Sequence, residues 1–246
     1  VPRTTPDYGE FACGLDTTGK AWCWGANFAG QLGNGSYTDT GVPVQVSQPT
    51  GVVFTALDAG GSHVCGIDTT ANLWCWGDNQ SGQILQSAGV DDSPVPVQAS
   101  YDGGHSAVSC GLAHCCNLQS DSVFCWGDNS DGQMGDTNTN PLYVYAVKVH
   151  FTAYMTAPLT TVSSGSSMSC ALTDQQRAWC WGGGVATPAE ITMPSGVDVS
   201  QISTRSLFSC LVGTDDRARC WGQGSYGSLG TGTTGDQPVP TLVVEP

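Results

Sequence analysis

The sequence predicts an all-β fold, a β-propeller of five recognisable four-stranded blades, each carrying a disulfide inside one hairpin. Three observations predict it. A Cys…Cys-Trp-Gly pattern recurs five times, with its last tryptophan at Trp24, Trp76, Trp126, Trp181 and Trp221. The 246 residues include 33 Gly and 13 Pro, and no stretch holds apolar residues at helical spacing long enough to form a helix. The cysteines number twelve, an even count, and their spacing sets two of them face to face in every copy. Spacings of this size mark a supersecondary unit that buries its apolar face against neighbouring copies.

Each copy opens on a short apolar run with a cysteine, passes a turn such as Asp16-Thr-Thr-Gly19, and closes on a second run ending in Cys-Trp-Gly. That is the signature of a β-hairpin. Cys13 and Cys23 are equidistant from Thr18, so they oppose each other across the hairpin, where Cβ atoms come close enough for a disulfide. The same reasoning pairs Cys65 with Cys75, Cys116 with Cys125, Cys170 with Cys180, and Cys210 with Cys220. The third hairpin is one residue shorter and turns between Ser120 and Asp121, which keeps its cysteines opposed. Cys110 and Cys115 remain and are paired with each other, because the adjacent Cys115 and Cys116 point to opposite faces of a strand. A metal site built from Cys110, Cys115, Cys116 and His114 is the rival, and it would leave Cys125 single.

After each Trp-Gly comes a polar glycine loop, at residues 27–35, 78–85 and 128–136, then an extended segment rich in Val and Pro, at 42–46, 95–98, 143–147, 188–191 and 238–244. These suit short outer strands. Small-residue stretches before the first cysteine, such as 56–61 and 162–165, suit an innermost strand crowded near an axis. Four strands per copy make a blade, and the blades fall at about 1–51, 52–104, 105–158, 159–196 and 197–246 of a single domain. The fourth copy lacks its glycine loop between Gly184 and Pro188.

At these residues the chain resembles the regulator of chromosome condensation repeat family. Copy two reads His63-Val-Cys65-Gly-Ile67, Trp76-Gly-Asp-Asn79 and Gly82-Gln83-Ile84; copy one has Trp24-Gly-Ala-Asn27 and Gly30-Gln-Leu-Gly33; copy three has His114 with Cys116, Trp126-Gly-Asp-Asn129 and Gly132-Gln-Met-Gly135. The resemblance implies a propeller. Members usually have seven blades, so the five here either close alone or form part of a longer polypeptide. It also implies closure by a strand shared between the termini, here 239–244 beside 1–8. The family's nuclear member promotes guanine-nucleotide exchange and binds chromatin, a secreted relative inhibits β-lactamase, and versions with paired cysteines look extracellular. Fold alone does not carry function.

Composition narrows the function. Seven Lys and Arg against 21 Asp and Glu give a net charge of −14, which repels nucleic acid and anionic lipid. An even set of cysteines implies an oxidising compartment, and the sequence is read as a mature, secreted, extracellular chain without a membrane span. No nucleophile elbow, zinc-protease motif or phosphate loop occurs, so no enzyme and no cofactor is expected. His63 and His114 occupy the repeat motif and read as structural. Asp78, Asp128, Asp131 and Asp136 lack the alternating spacing of a calcium loop and read as turn caps. Asn34-Gly-Ser36 and Asn79-Gln-Ser81 are N-glycosylation sequons, with Asn34 the better acceptor because Asn79 also fills a repeat position. The tryptophans read as packing between blades. Recognition is expected from non-repeated features: the loop 87–93, Tyr101 and His105, and Tyr143, Tyr145, Phe151 and Tyr154 of the long third connection. The expected role is a structural, adhesive or interaction module binding a protein or glycan of a matrix, wall or surface assembly, or associating with itself. The alternatives are a secreted inhibitor or ligand-binding protein, and a hydrolase with its site at the propeller mouth.

Overall fold

The computed structural model describes residues 10–86, 92–99, 103–138, 140–151 and 157–244. They form five antiparallel sheets in chain order. The first holds β1 (Phe11–Leu15), β2 (Ala21–Gly25) and β3 (Thr40–Gln45); the second β4 (Phe54–Ala59), β5 (His63–Asp68), β6 (Leu73–Gly77) and β7 (Ser93–Gln98). The third holds β8 (His105–Cys110), β9 (His114–Gln119), β10 (Ser122–Asp128) and β11 (Leu142–Lys148). The fourth holds β12 (Leu159–Ser164), β13 (Met168–Thr173), β14 (Ala178–Gly182) and β15 (Val185–Glu190); the fifth β16 (Val199–Arg205), β17 (Phe208–Gly213), β18 (Ala218–Gly222) and β19 (Gln237–Leu242). Four sheets are four-stranded meanders, and the first is three-stranded among the described residues. The closing segment expected at 1–8 lies outside them.

The hairpins form because their turns are capped from within. Asp16 Oδ1 accepts from the Thr18 amide at 2.8 Å and the Lys20 amide at 3.1 Å, and its Oδ2 accepts from Trp22 Nε1 at 3.1 Å. Asp68 repeats this with Thr70, Asn72 and Trp74. In the third blade Ser120 and Asp121 both take positive φ, 46° and 61°, the signature of a two-residue hairpin turn. The resulting register sets Cys13 opposite Cys23, Cys65 opposite Cys75, Cys116 opposite Cys125, Cys170 opposite Cys180 and Cys210 opposite Cys220. All five pairs are disulfides, as is Cys110–Cys115, and every pair has a Cα–Cα distance of 4.1 Å.

After each central cysteine the pairing to the outer strand slips at the tryptophan, as at Cys75/Gly77 and Cys125/Gly127. Such a bulge re-aims a side chain. The glycine that follows is required: Gly77 has φ +98°, and a Cβ there would lie 2.5 Å from the Ser62 carbonyl oxygen. The re-aimed indole enters the preceding blade. Trp76 Nε1 donates to the Gln31 carbonyl at 3.0 Å, Trp126 to that of Gln83 at 2.7 Å, and Trp181 to that of Gln133 at 2.7 Å. These three indoles are fully buried, and the apolar core is divided into four clusters set between successive blades.

The glycine loop that receives each indole is held by the repeat asparagine. Asn27 Oδ1 accepts from the Leu32 amide, Asn79 from Ile84 and Asn129 from Met134. Blade four makes its outer turn with Gly183 and Gly184 alone. Arg219 stands where copies one, two and four have the first tryptophan and copy three has Phe124, and its guanidinium donates to both carboxylate oxygens of Asp215, at 2.9 and 2.7 Å.

Candidate functional site

The inner strands β4, β8, β12 and β16 lie side by side, and their ends line an opening of about 430 Å³ near the axis. A belt of hydrogen bonds runs around it. Asp58 Oδ2 accepts from the Cys110 amide at 2.8 Å, Ser109 Oγ from the Ser164 amide at 3.0 Å, and Ser163 Oγ from the Thr204 amide at 2.8 Å. Asp58, Ser109, Ser163 and Ser203 are equivalent, each opposite the first hairpin cysteine of its blade. Burial pushes the Asp58 carboxyl above its ordinary range, although the amides of Cys110 and Ala59 and the Ser109 hydroxyl all donate to it. The belt engages Asp58, Ser109 and Ser163, which join neighbouring blades across the wall of the opening.

Below the belt lie the repeat histidines. His63 Nε2 is 3.0 Å from Cys115 Sγ, and His114 Nε2 is 2.9 Å from Ser169 Oγ, each reaching into the next blade. Burial lowers both, His63 to about 3 and His114 to about 4, so both rings are neutral at pH 7. The metal set considered from sequence is not assembled. His114 faces Ser169, and the sulfur-facing imidazole is His63. His63, Cys110 and Cys115 do converge, with ligand atoms within 4.8 Å of one another, but the two sulfurs are bonded together.

Two of the expected recognition residues are corrected. His105 is buried at the start of β8, its Nδ1 2.6 Å from Asn117 Nδ2, because this strand lies innermost and its first residue is covered by the hairpin. Tyr143 is buried too: it pairs with Gly127 at the bulge and donates its hydroxyl to Asp136 at 2.8 Å. Burial and the neighbouring Asp136 carboxylate push the Tyr143 phenol up. Tyr145, two residues along the strand, is 59% exposed and meets Tyr143 edge-on at 5.6 Å. Phe151 packs on Trp179 and Trp181. Tyr101, Tyr154 and most of the loop 87–93 lie outside the described residues.

Of the sequon asparagines, Asn79 is 7% exposed and holds its loop, whereas Asn34 is half-buried with its Oδ1 accepting from the Ser36 amide and hydroxyl. The loop aspartates are also engaged. Asp128 accepts from Ser130 and Gln133, and Asp78 from Gln80 and Gln83. Sequence reasoning missed Phe28, Tyr37 and Tyr226, all exposed, because each sits in the repeated loop region and carries no signal of its own. Trp24 is 37% exposed although its equivalents are buried, since no blade precedes it among the described residues.

Blade-by-blade indole insertion around an axial belt defines a repeat-built β-propeller. Its repeats match the Regulator of chromosome condensation (RCC1) repeat over residues 18–67 and 215–246, and a second form of that repeat over 54–83. The chain is 26% identical over 255 residues to the Ultraviolet-B receptor UVR8 of Arabidopsis thaliana, covering 95% of this chain and 57% of the receptor. It is 32% identical over 98 residues to a Protein RCC2 homolog of Xenopus laevis, covering 39% of this chain and 19% of that protein. The chain therefore spans only part of these curated relatives. Among solved structures, yeast RCC1 (Prp20) in its complex with Kap60 matches with a TM-score of 0.83 at 17% identity, over 96% of this chain and 59% of that one. At that identity the likeness shows the fold.

Proposed function

We propose that the chain is a non-enzymatic interaction module of an oxidising, extracellular setting, which binds a protein or glycan of a matrix, wall or surface assembly. The observation that carries the reading is that all twelve cysteines pair within single blades and leave no free thiol, the pattern of a chain that folds under oxidising conditions. Protein binding is supported by similar propellers, one of which is seen bound to Kap60. The exposed aromatics Tyr37, Tyr145 and Tyr226 are the recognition side chains in this reading, since rigid amphipathic rings contribute contact area at little entropic cost. Asn34 is the glycan acceptor.

The test is purification of native material without reductant, with mass spectrometry of whatever co-elutes. A surface glycoprotein or polysaccharide that is released when Tyr145 and Tyr226 are changed to Ser supports the reading. Recovery of the chain with its cysteines as free thiols, or tight one-to-one capture of a soluble enzyme, overturns it.

A further inference from the structure

Five of the six disulfides staple the central hairpin of a blade, and the sixth, Cys110–Cys115, does not. It joins the end of β8 to the start of β9, and the other blades fill its place without sulfur. In blade four the equivalent residues are Ser164 and Ser169, hydroxyl to hydroxyl at 3.2 Å; in blade five they are Thr204 and Ser209, also at 3.2 Å; in blade two they are Ala59 and Val64. A bonded pair is therefore not needed to pack this position. Its sequence separation is 5, against 9 or 10 for the others, so it constrains the unfolded chain least.

The surroundings of this pair are suited to exchange. Cys110 is on the wall of the axial opening with 6% of its surface exposed, while Cys115 is wholly buried with His63 Nε2 at 3.0 Å from its sulfur. The neutral imidazole is a hydrogen-bond donor already placed at the sulfur that would leave. Leaving-group stabilisation speeds thiol–disulfide exchange.

We propose that Cys110–Cys115 is an exchangeable disulfide that reacts with small thiols entering through the axial opening, with Cys110 attacked and Cys115 released against His63. A thiolate RS⁻ bonds to Cys110 Sγ and the Cys110–Cys115 bond breaks, its electron pair leaving on Cys115 Sγ, which the His63 N–H stabilises and which then takes a proton from solvent. A second RS⁻ attacks the mixed disulfide at the R sulfur, releasing RSSR and the Cys110 thiolate. Two thiols are oxidised and one disulfide reduced. His63 acts here as a positioning residue. The inference rests on blade geometry alone, independent of where the chain resides or what it binds.

The experiment is stepwise reduction of the oxidised chain with reduced glutathione, alkylation of the thiols released, and peptide mapping. Cys110 and Cys115 are expected to be labelled at a glutathione concentration at least about tenfold below that needed for any other pair, with the early glutathione adduct on Cys110. His63→Met, which installs the residue blade four carries at this position, Met168, should slow the early step about tenfold while circular dichroism is unchanged, the loss of one hydrogen bond to a charged leaving atom. Cys110→Ser with Cys115→Ser recreates the blade-four pair, and should fold and lose the early phase. The inference is overturned if the partly exposed Cys13 or Cys210 is released first, if the first adduct is on Cys115, or if His63→Met leaves the rate unaltered.

Discussion

At the scale of the residue, one repeated side chain has two environments. Trp126 is fully enclosed and donates to the Gln83 carbonyl, whereas Trp24, its equivalent in the first blade, is 37% exposed. Trp126→Ala should therefore cost about 3–5 kcal/mol, the transfer energy of a large core side chain plus its cavity. Trp24→Ala should cost measurably less, since about a third of that residue already meets water and no carbonyl partner is lost with a sealed cavity. Urea denaturation of both variants measures the difference, and equal losses would show that Trp24 is covered in solution. The sequence assigns both tryptophans to the same packing role, because the repeat reports what a position does when a blade stands on either side. The same blindness explains Tyr143 and Tyr145. Alternation along β11 would put both rings on one face, and only the irregular register to β10 at the bulge after Cys125 buries Tyr143 while leaving Tyr145 exposed.

At the scale of the element, the hairpins were legible because their determinants are local: a capped turn, opposed cysteines and a glycine after the bulge. The loops were legible as loops, yet the role of the repeat asparagine emerges only from the fold. Asn129 receives the buried Met134 amide and donates to the carbonyls of Asn138 and Asn140, at 3.2 and 2.8 Å. Asn129→Ala should cost about 1–3 kcal/mol, the desolvation of an amide left without a partner. Asn34→Ala, at a loop tip, should stay within about 0.5 kcal/mol. Thermal unfolding of the two variants ranks them, and the reverse order would contradict the loop-holding role. The belt is likewise not readable from small-residue composition. Ser163→Ala removes the acceptor of the Thr204 amide and should lower stability by about 1 kcal/mol with no change in disulfide pairing by peptide mapping.

At the scale of the whole molecule, apolar burial is distributed over wedges between blades, and the position below the belt is filled in turn by Phe11, His63, His114, Met168 and Phe208. Two of those side chains are titratable. His63 and His114 are held neutral by burial, at about 3 and about 4 against an ordinary value of 6.5, with His114 lowering His63 further and the Asp128 carboxylate partly opposing the drop at His114. In the unfolded chain both rings take up protons as pH falls through 6.5, whereas the folded chain refuses them until about pH 4. The unfolded state then binds more protons than the native state, so stability must fall with pH across this window, on the order of 1 kcal/mol per pH unit for each ring. Asp58 acts with the opposite sign, because its carboxyl is raised and the native state holds that proton more firmly than the unfolded chain. Asp68 and Asp215 join the loss only lower: against the desolvation that burial brings, hydrogen bonds hold Asp68 at about 2, and its bonds from Arg219 hold Asp215 at about 2, so their contribution fades below an ordinary carboxylate value of 3.8. The melting temperature should thus decline from pH 6.5 to pH 4 before Asp68 or Asp215 is protonated. His63→Met with His114→Met, which places in blades two and three the residue that blade four already uses, should flatten that decline. A wild-type melting temperature that is level from pH 6.5 to pH 4, or a double variant that falls as steeply, would mean that the two rings are not sealed from water and that the wedges open on the timescale of proton exchange.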